Sequence, residues 1–201
     1  MNITAIEGQK NNNEKVNLFV DGEYYCSLSV DVVFKSHLKI GEIDDAEFEK
    51  IVEDNERIKA FTSLLNTISR GAYCKAELHK KLVTKGFSVD VAQNAIDKAI
   101  GYGYIDDSEY AKRFVAEKSK THGANYVKQQ LKFKGVCQAD IDVAFEGEVP
   151  DCCLEVAQKK AKNLNLAEQK DVQKLVSHLN YRGFGWDSIA KALKALRDDI
   201  D

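Results

Sequence analysis

The sequence predicts a mainly α protein: three copies of a tandem three-helix repeat forming an elongated, curved array, preceded by a small N-terminal antiparallel β-sheet. Three observations carry that reading. One proline in 201 residues, 30% charged residues and long stretches of Ala, Leu, Lys and Glu favour helix. Three stretches align on a common pattern: ELHKKLVTKGF with Gly86, YVKQQLKFKGV with Gly135 and KLVSHLNYRGF with Gly183, the glycines 49 and 48 residues apart. Ahead of them, the first 28 residues read as strands.

Taken in order, ITAIE, KVNLFV and EYYCSLS are short and rich in β-branched and aromatic residues, and Asp21-Gly22 between the last two is a hairpin signal. A sheet over residues 2–28 follows. Ser29 can cap a short helix reaching His37, which LKIGE breaks. Asp44 with Glu47 then forms a capping-box start for an acidic helix from about Asp45 to Ile68.

Within each repeat, an apolar residue stands eight and four places before the glycine (Leu78 and Leu82, Val127 and Leu131, Leu175 and Leu179). Six and ten places after it come Ala92 and Ile96, Ile141 and Phe145, Ile189 and Leu193. Four-residue spacing makes a helical stripe, and glycine takes the left-handed position that closes a helix. A basic residue, Lys85, Lys134 or Arg182, precedes each glycine and reads as a partner for the negative helix end. Upstream helices carry Ile58, Phe61, Leu64, Leu65 and Ile68 in the first copy and Ala111, Phe114 and Val115 in the second. Between these copies, GYGYIDDSEY at 101–110 is a junction: Gly101 or Gly103 stops one helix, Asp106 caps the next, Glu109 completes the box and Ile105 with Tyr110 staples it. Four segments result, 1–44, 45–105, 106–149 and 150–201.

Composition narrows the function. No apolar run approaches the ~20 residues of a membrane span and no signal pattern opens the chain, so a soluble, cytoplasmic protein is expected. Five scattered cysteines and four histidines show neither Cys-x-x-Cys nor zinc-finger spacing, and Cys152-Cys153 reads as the buried face of a helix start. No metal, cofactor or catalytic residue is expected: GYG and GFG lack the third glycine of a dinucleotide loop, and no phosphate loop, nucleophile elbow or His-Glu-x-x-His is present. Charge is uneven, −6 over residues 1–69, +6 over 70–134 and −3 over 135–201. A basic middle between acidic ends suits a nucleic acid or a charged protein surface.

GYIDDSEYAKRFV at 103–115, ELHKKLVTKGF at 77–87 and LNYRGFGWDSIAKAL at 179–193, in that order and spacing over residues 57–197, resemble the RecX family of recombination regulators. The N-terminal segment with VDGEY looks like the extension of the family's longer members. That resemblance implies tandem three-helix repeats and a protein that binds the RecA recombinase filament on single-stranded DNA and modulates it, most often by inhibiting its ATPase, filament growth and strand exchange. It implies no enzyme activity, and a monomer that touches single- or double-stranded DNA weakly. One departure is Tyr73-Cys74, where family members carry an arginine followed by Ser or Thr. Cysteine is a weaker cap, so the cap is expected to move to another residue and Arg70 to stand in for the missing cation.

Candidate recombinase or DNA contacts are Arg70, Lys75, Lys80, Lys81, Lys85, Lys112, Arg113, Lys128, Lys132 and Lys134. The alternative is an autonomous DNA-binding helical-repeat protein, which the acidic ends argue against. Phe61, Phe87, Phe114, Phe145 and Phe184 read as repeat core, and Trp186 as packing at the start of the last helix.

Overall fold

A computed structural model describes residues 1–147 and 149–198. Four strands open the chain: β1 (Asn2–Gln9), β2 (Asn12–Val20), β3 (Glu23–Ser29) and, after helix α1 (Val30–Lys35), β4 (Gly41–Glu42). They pair antiparallel in the order β3-β2-β1-β4. The Asp21-Gly22 turn has both residues at positive φ, 51° and 88°, the backbone of a type I′ hairpin. Ile3, Leu18 and Leu28 are fully buried from the sheet, in a cluster with Val32 of α1 and Phe48 and Ile51 of the next helix. Strand β4, which pairs Glu42 with Asn2 and Gly41 with Ile3, corrects the reading of LKIGE as a plain breaker. Two residues are too few to show an alternation.

Helix α2 (Asp45–Ile68) begins as its cap predicts: Asp44 accepts from the Ala46 and Glu47 N–H groups at 3.1 and 3.2 Å. Asn55, buried midway along it, accepts from the Ser29 N–H at 2.9 Å and donates to the Ser27 carbonyl at 3.1 Å, tying helix to sheet. Asn55→Ala would orphan both backbone groups. An expected loss of roughly 1–3 kcal/mol should appear as a lower urea midpoint with unchanged slope.

The remaining helices are α3 (Lys75–Thr84), α4 (Val89–Gly101), α5 (Asp107–Lys118), α6 (Ala124–Phe133), α7 (Gln138–Ala144), α8 (Cys153–Ala161), α9 (Gln169–Tyr181) and α10 (Trp186–Asp198). Taken in threes from α2, they are the three repeats. Gly86, Gly135 and Gly183 stand at φ 96°, 86° and 81°, the left-handed closure their position demands. At the GYGYIDDSEY junction Gly103 (φ 71°) closes α4, and Asp106 accepts from the Ser108 and Glu109 N–H groups at 2.9 and 3.0 Å.

Residues 1–71 with 79–102 form one compact unit, and residues 72–78 with the chain from Gly103 form a second. In the first, α4 packs on α2 through buried Ala92, Ala95, Ile96 and Ala99. Small side chains let the two backbones approach. In the second, Ala111, Val115, Val127, Leu131 and Ile141 make one core cluster and Cys153, Ala157, Leu175, Leu179 and Ile189 another. Phe184 is buried as expected, whereas Phe61, Phe87, Phe114 and Phe145 are half-buried. Lysines cover the open sides of three of them: the Lys98, Lys118 and Lys128 ammonium groups lie 4.6, 5.8 and 4.7 Å from the Phe61, Phe114 and Phe145 ring centres. Trp186, expected to pack, is 68% exposed at the first position of α10, because buried Ile189, Ala192 and Leu196 define a different face of that helix.

Helix ends in the second unit meet head to tail. The Gly123 and Asn125 N–H groups at the start of α6 donate to the Arg182 and Gly183 carbonyls after α9, at 2.9 and 3.2 Å. At the equivalent place one repeat earlier, the Cys74 thiol at the start of α3 donates to the Lys134 carbonyl after α6, at 3.1 Å. Donors left over at one helix end thus meet acceptors left over at another.

The Cys74 departure is resolved at this junction. Glu77 accepts from the Cys74 N–H at 3.3 Å, and Asp107 of α5 accepts from the Lys75 N–H at 2.9 Å. The cap has moved, as expected, onto these two carboxylates. The three cations before the repeat glycines do more than face their own helix ends. Lys134 pairs with Glu77 at 2.6 Å, Arg182 donates to the Thr121 carbonyl at 3.2 Å, and Lys85 donates to the Ser63 and Thr67 hydroxyls at 2.8 and 3.3 Å. Capping as their main role is therefore corrected: each side chain is long enough to reach a neighbouring element, and the partner found there sets its job.

Candidate protein and nucleic-acid interface

The ten candidate cations divide between the units. Arg70, after α2, with Lys80, Lys81 and Lys85 on or just beyond α3, belong to the first. Lys75 at the start of α3, Lys112 and Arg113 on α5, and Lys128, Lys132 and Lys134 on or just beyond α6 belong to the second.

Their neighbours separate spent charges from available ones. Lys134 is bound to Glu77, Lys75 lies 3.8 Å from the buried Asp107 carboxylate, and Arg113 pairs with Glu109 at 2.9 Å one turn away. The Lys128 ammonium rests on the Phe145 ring. By contrast Arg70, Lys80, Lys112 and Lys132 are exposed and have no ion-pair partner among the described residues. Lys85 is held by hydroxyls, which leave its charge uncompensated.

Two residues missed in the sequence stand beside these cations. Phe133, between Lys132 and Lys134, is 89% exposed, and Tyr181, before Arg182, is 81% exposed. Both lie two places before the repeat glycine, so their positions are equivalent in the second and third copies. A large apolar ring held in water at the end of a well-packed helix contributes nothing to the fold. Aromatics beside a cation are the side chains that dominate binding energy at interfaces and stack on nucleic-acid bases. The aligned repeats held the signal: the position is Thr84 in the first copy and aromatic in the other two, outside the buried stripe.

Arg70 and Lys85 also line a groove in the first unit with Lys15 of β2 and Lys59 of α2. Nothing in the linear pattern points to the last two, which belong to the acidic third of the chain.

Relatives place this geometry. A protein named Regulatory protein RecX from Clostridium botulinum (strain Alaska E43 / Type E3) is 32% identical over 200 residues, 96% of this chain and 94% of that one. This chain belongs to the RecX family. A second RecX, from Clostridioides difficile (strain 630), is 31% identical over 202 residues, 96% of this chain and 95% of its own. Family profiles described as the regulatory protein RecX N-terminal domain, the second three-helix domain and the third three-helix domain match residues 1–45, 106–144 and 147–193. A crystal structure of regulatory protein RecX aligns with a TM-score of 0.71 at 27% identity, covering 96% of this chain and 98% of that one. RecX from Lactobacillus salivarius shares the fold over 72% of this chain and 98% of its own, with a TM-score of 0.64 at 22% identity. In this chain Lys134 and Lys75 are engaged by Glu77 and Asp107, while Phe133 and Lys132 remain exposed.

Proposed function

We propose that this RecX-family chain acts in recombination and DNA repair by binding the RecA recombinase filament on single-stranded DNA and inhibiting its ATPase, filament growth and strand exchange. It acts as a cytoplasmic monomer without chemistry of its own, through the four segments 1–44, 45–105, 106–149 and 150–201. The observation that carries the reading is Phe133 beside Lys132: a nearly fully exposed ring next to an unpaired cation, on a helix whose other face is buried, in a family of proteins named as regulators. Tyr181 repeats the exposed ring one copy on, beside Arg182, whose guanidinium is held by the Thr121 carbonyl.

The test is ATP hydrolysis by the recombinase on single-stranded DNA, with this protein titrated in. Wild type should suppress hydrolysis at or below one chain per recombinase monomer. Phe133→Ala combined with Lys132→Glu, which alters exposed side chains only, should need at least tenfold more protein for the same effect. No change in hydrolysis at stoichiometric excess of wild type would overturn the proposal, and equal potency of the variant would remove Phe133 and Lys132 from the contact.

A further inference from the structure

The groove in the first unit has a volume of about 530 Å³ and lies between β2, α2 and the end of α3. Cationic groups from Lys15, Lys59, Arg70 and Lys85 line it, with Glu14 as the carboxylate in the lining. Glu56 engages Lys59 at 3.0 Å, while Lys15 and Arg70 have no ion-pair partner among the described residues. Lys85 is fixed by the Ser63 and Thr67 hydroxyls, one turn apart on α2. Both hydroxyls accept from the ammonium; Thr67 donates its own hydrogen to the Ser63 carbonyl at 2.8 Å, while the Ser63 hydrogen is left to donate into the groove. Ile58 and Phe87 supply an apolar part of the same lining.

We propose that this groove binds a nucleoside phosphate. Phosphate oxygens are acceptors only, and the groove offers them point charges from lysines, the planar fork of Arg70 and the hydroxyl donor of Ser63. Three donor kinds converging in one place exceed what a single carboxylate can use. The half-buried Phe87 ring and Ile58 give a base or sugar an apolar surface beside the charges. The volume falls within the range of about 300–1,000 Å³ of small-ligand sites. None of this depends on a recombinase, and the ligand is read by the chain alone.

The same chemistry is presented by a free nucleotide and by a short stretch of single-stranded nucleic acid. Calorimetric titration of the full chain with ATP and with pyrophosphate, and fluorescence anisotropy with fluorescein-labelled oligothymidylate of 4 and 20 nucleotides, all in 50 mM NaCl, separate the two. Binding of ATP, displaced by pyrophosphate, identifies a free nucleotide; binding of the oligonucleotides without ATP identifies a strand. In either case Arg70→Glu with Lys85→Glu should weaken binding at least tenfold, and Lys191→Glu with Lys194→Glu, an equal change of charge outside the groove, less than twofold. Ser63→Ala, which leaves every charge in place, should weaken it about threefold and guards against misfolding of the double variant. No binding of any of these probes, equal binding by the groove variants and wild type, or equal displacement by poly-glutamate would overturn the proposal.

Discussion

Gly183→Ala should destabilise this protein by roughly 3–4 kcal/mol, more than a methyl group added at Gly86. Two costs coincide there. Gly183 is at φ 81°, which an L side chain resists by about 1–2 kcal/mol, and a Cβ at that point would overlap the backbone and Cβ of Tyr126 at the start of α6, an overpacking of about 1–3 kcal/mol. Two neighbouring substitutions separate the costs. Gly86→Ala has the unfavourable φ of 96° with nothing within 4 Å, and should lose only the conformational part. Gly123→Ala has an ordinary φ of −75° but would overlap the Gly183 carbonyl, and should lose only the steric part. Urea unfolding of the three variants measures this directly. If Gly183→Ala costs no more than Gly86→Ala, the close approach of α9 to α6 is not real.

Lys134→Met should cost roughly 2–3 kcal/mol at neutral pH, between the values for exposed and buried pairs. About a quarter of each side chain, Lys134 and Glu77, is exposed, so water screens the pair only partly. Burial pushes the Glu77 carboxyl up, but hydrogen bonds from Lys134, the Cys74 N–H and the Tyr110 hydroxyl outweigh it and hold the group below the usual carboxylate range. Its hydrogen bond to Glu77 holds the Lys134 ammonium above the usual lysine range. The signs follow from these directions. Stability from Glu77 is present above the unfolded carboxylate value, about 4.3, and is lost as pH falls through the lower folded value. Stability from Lys134 is present below the unfolded lysine value, about 10.4, and is lost as pH rises through the higher folded one. A Lys134→Met, Glu77→Gln double-mutant cycle should therefore show coupling across neutral pH that disappears in acid. Coupling that persists at pH 2 would show that packing, and not charge, joins these residues.

What the sequence made legible was the part of the fold governed by local rules. Asp44 and Asp106 cap their helices because an N-cap needs only its own next three residues, and Gly86, Gly135 and Gly183 close theirs because a left-handed residue is a local demand. Strand β4 was hidden because its two residues are held by β1, 38 or more positions away in the chain. The destinations of Lys85, Lys134 and Arg182 were hidden for the same reason: one slot in three aligned copies leads to a hydroxyl pair, a carboxylate and a carbonyl, according to what lies opposite. Of the ten cations chosen by charge alone, Arg70, Lys80, Lys85, Lys112, Lys128 and Lys132 have no ion-pair partner among the described residues, and Lys128 rests on a ring instead. Phe133 and Tyr181 were overlooked because aromatic residues near a repeat glycine suggest core, and only the third dimension shows which ones the core omits.

The head-to-tail contacts also decide where helices begin. Helix α3 begins beneath Lys134 and helix α6 beneath Arg182 and Gly183, each start set by the copy that follows. Helix α9 begins differently. By the repeat spacing its first residue would be Val172, the counterpart of Lys75 and Ala124, yet the helix starts at Gln169, nearly a turn earlier. Asp171, standing where Cys74 and Gly123 stand in the other copies, accepts from the Asn165 N–H at 2.9 Å and pairs with Lys174 at 2.7 Å. The start of α9 is thus set by the segment just before it in the chain. Two helices of the set borrow their first turn from a later copy and the third writes its own, so a chain engineered to seat another three-helix unit against α9 would first have to begin that helix at Val172 and remove Asn165 to Glu168.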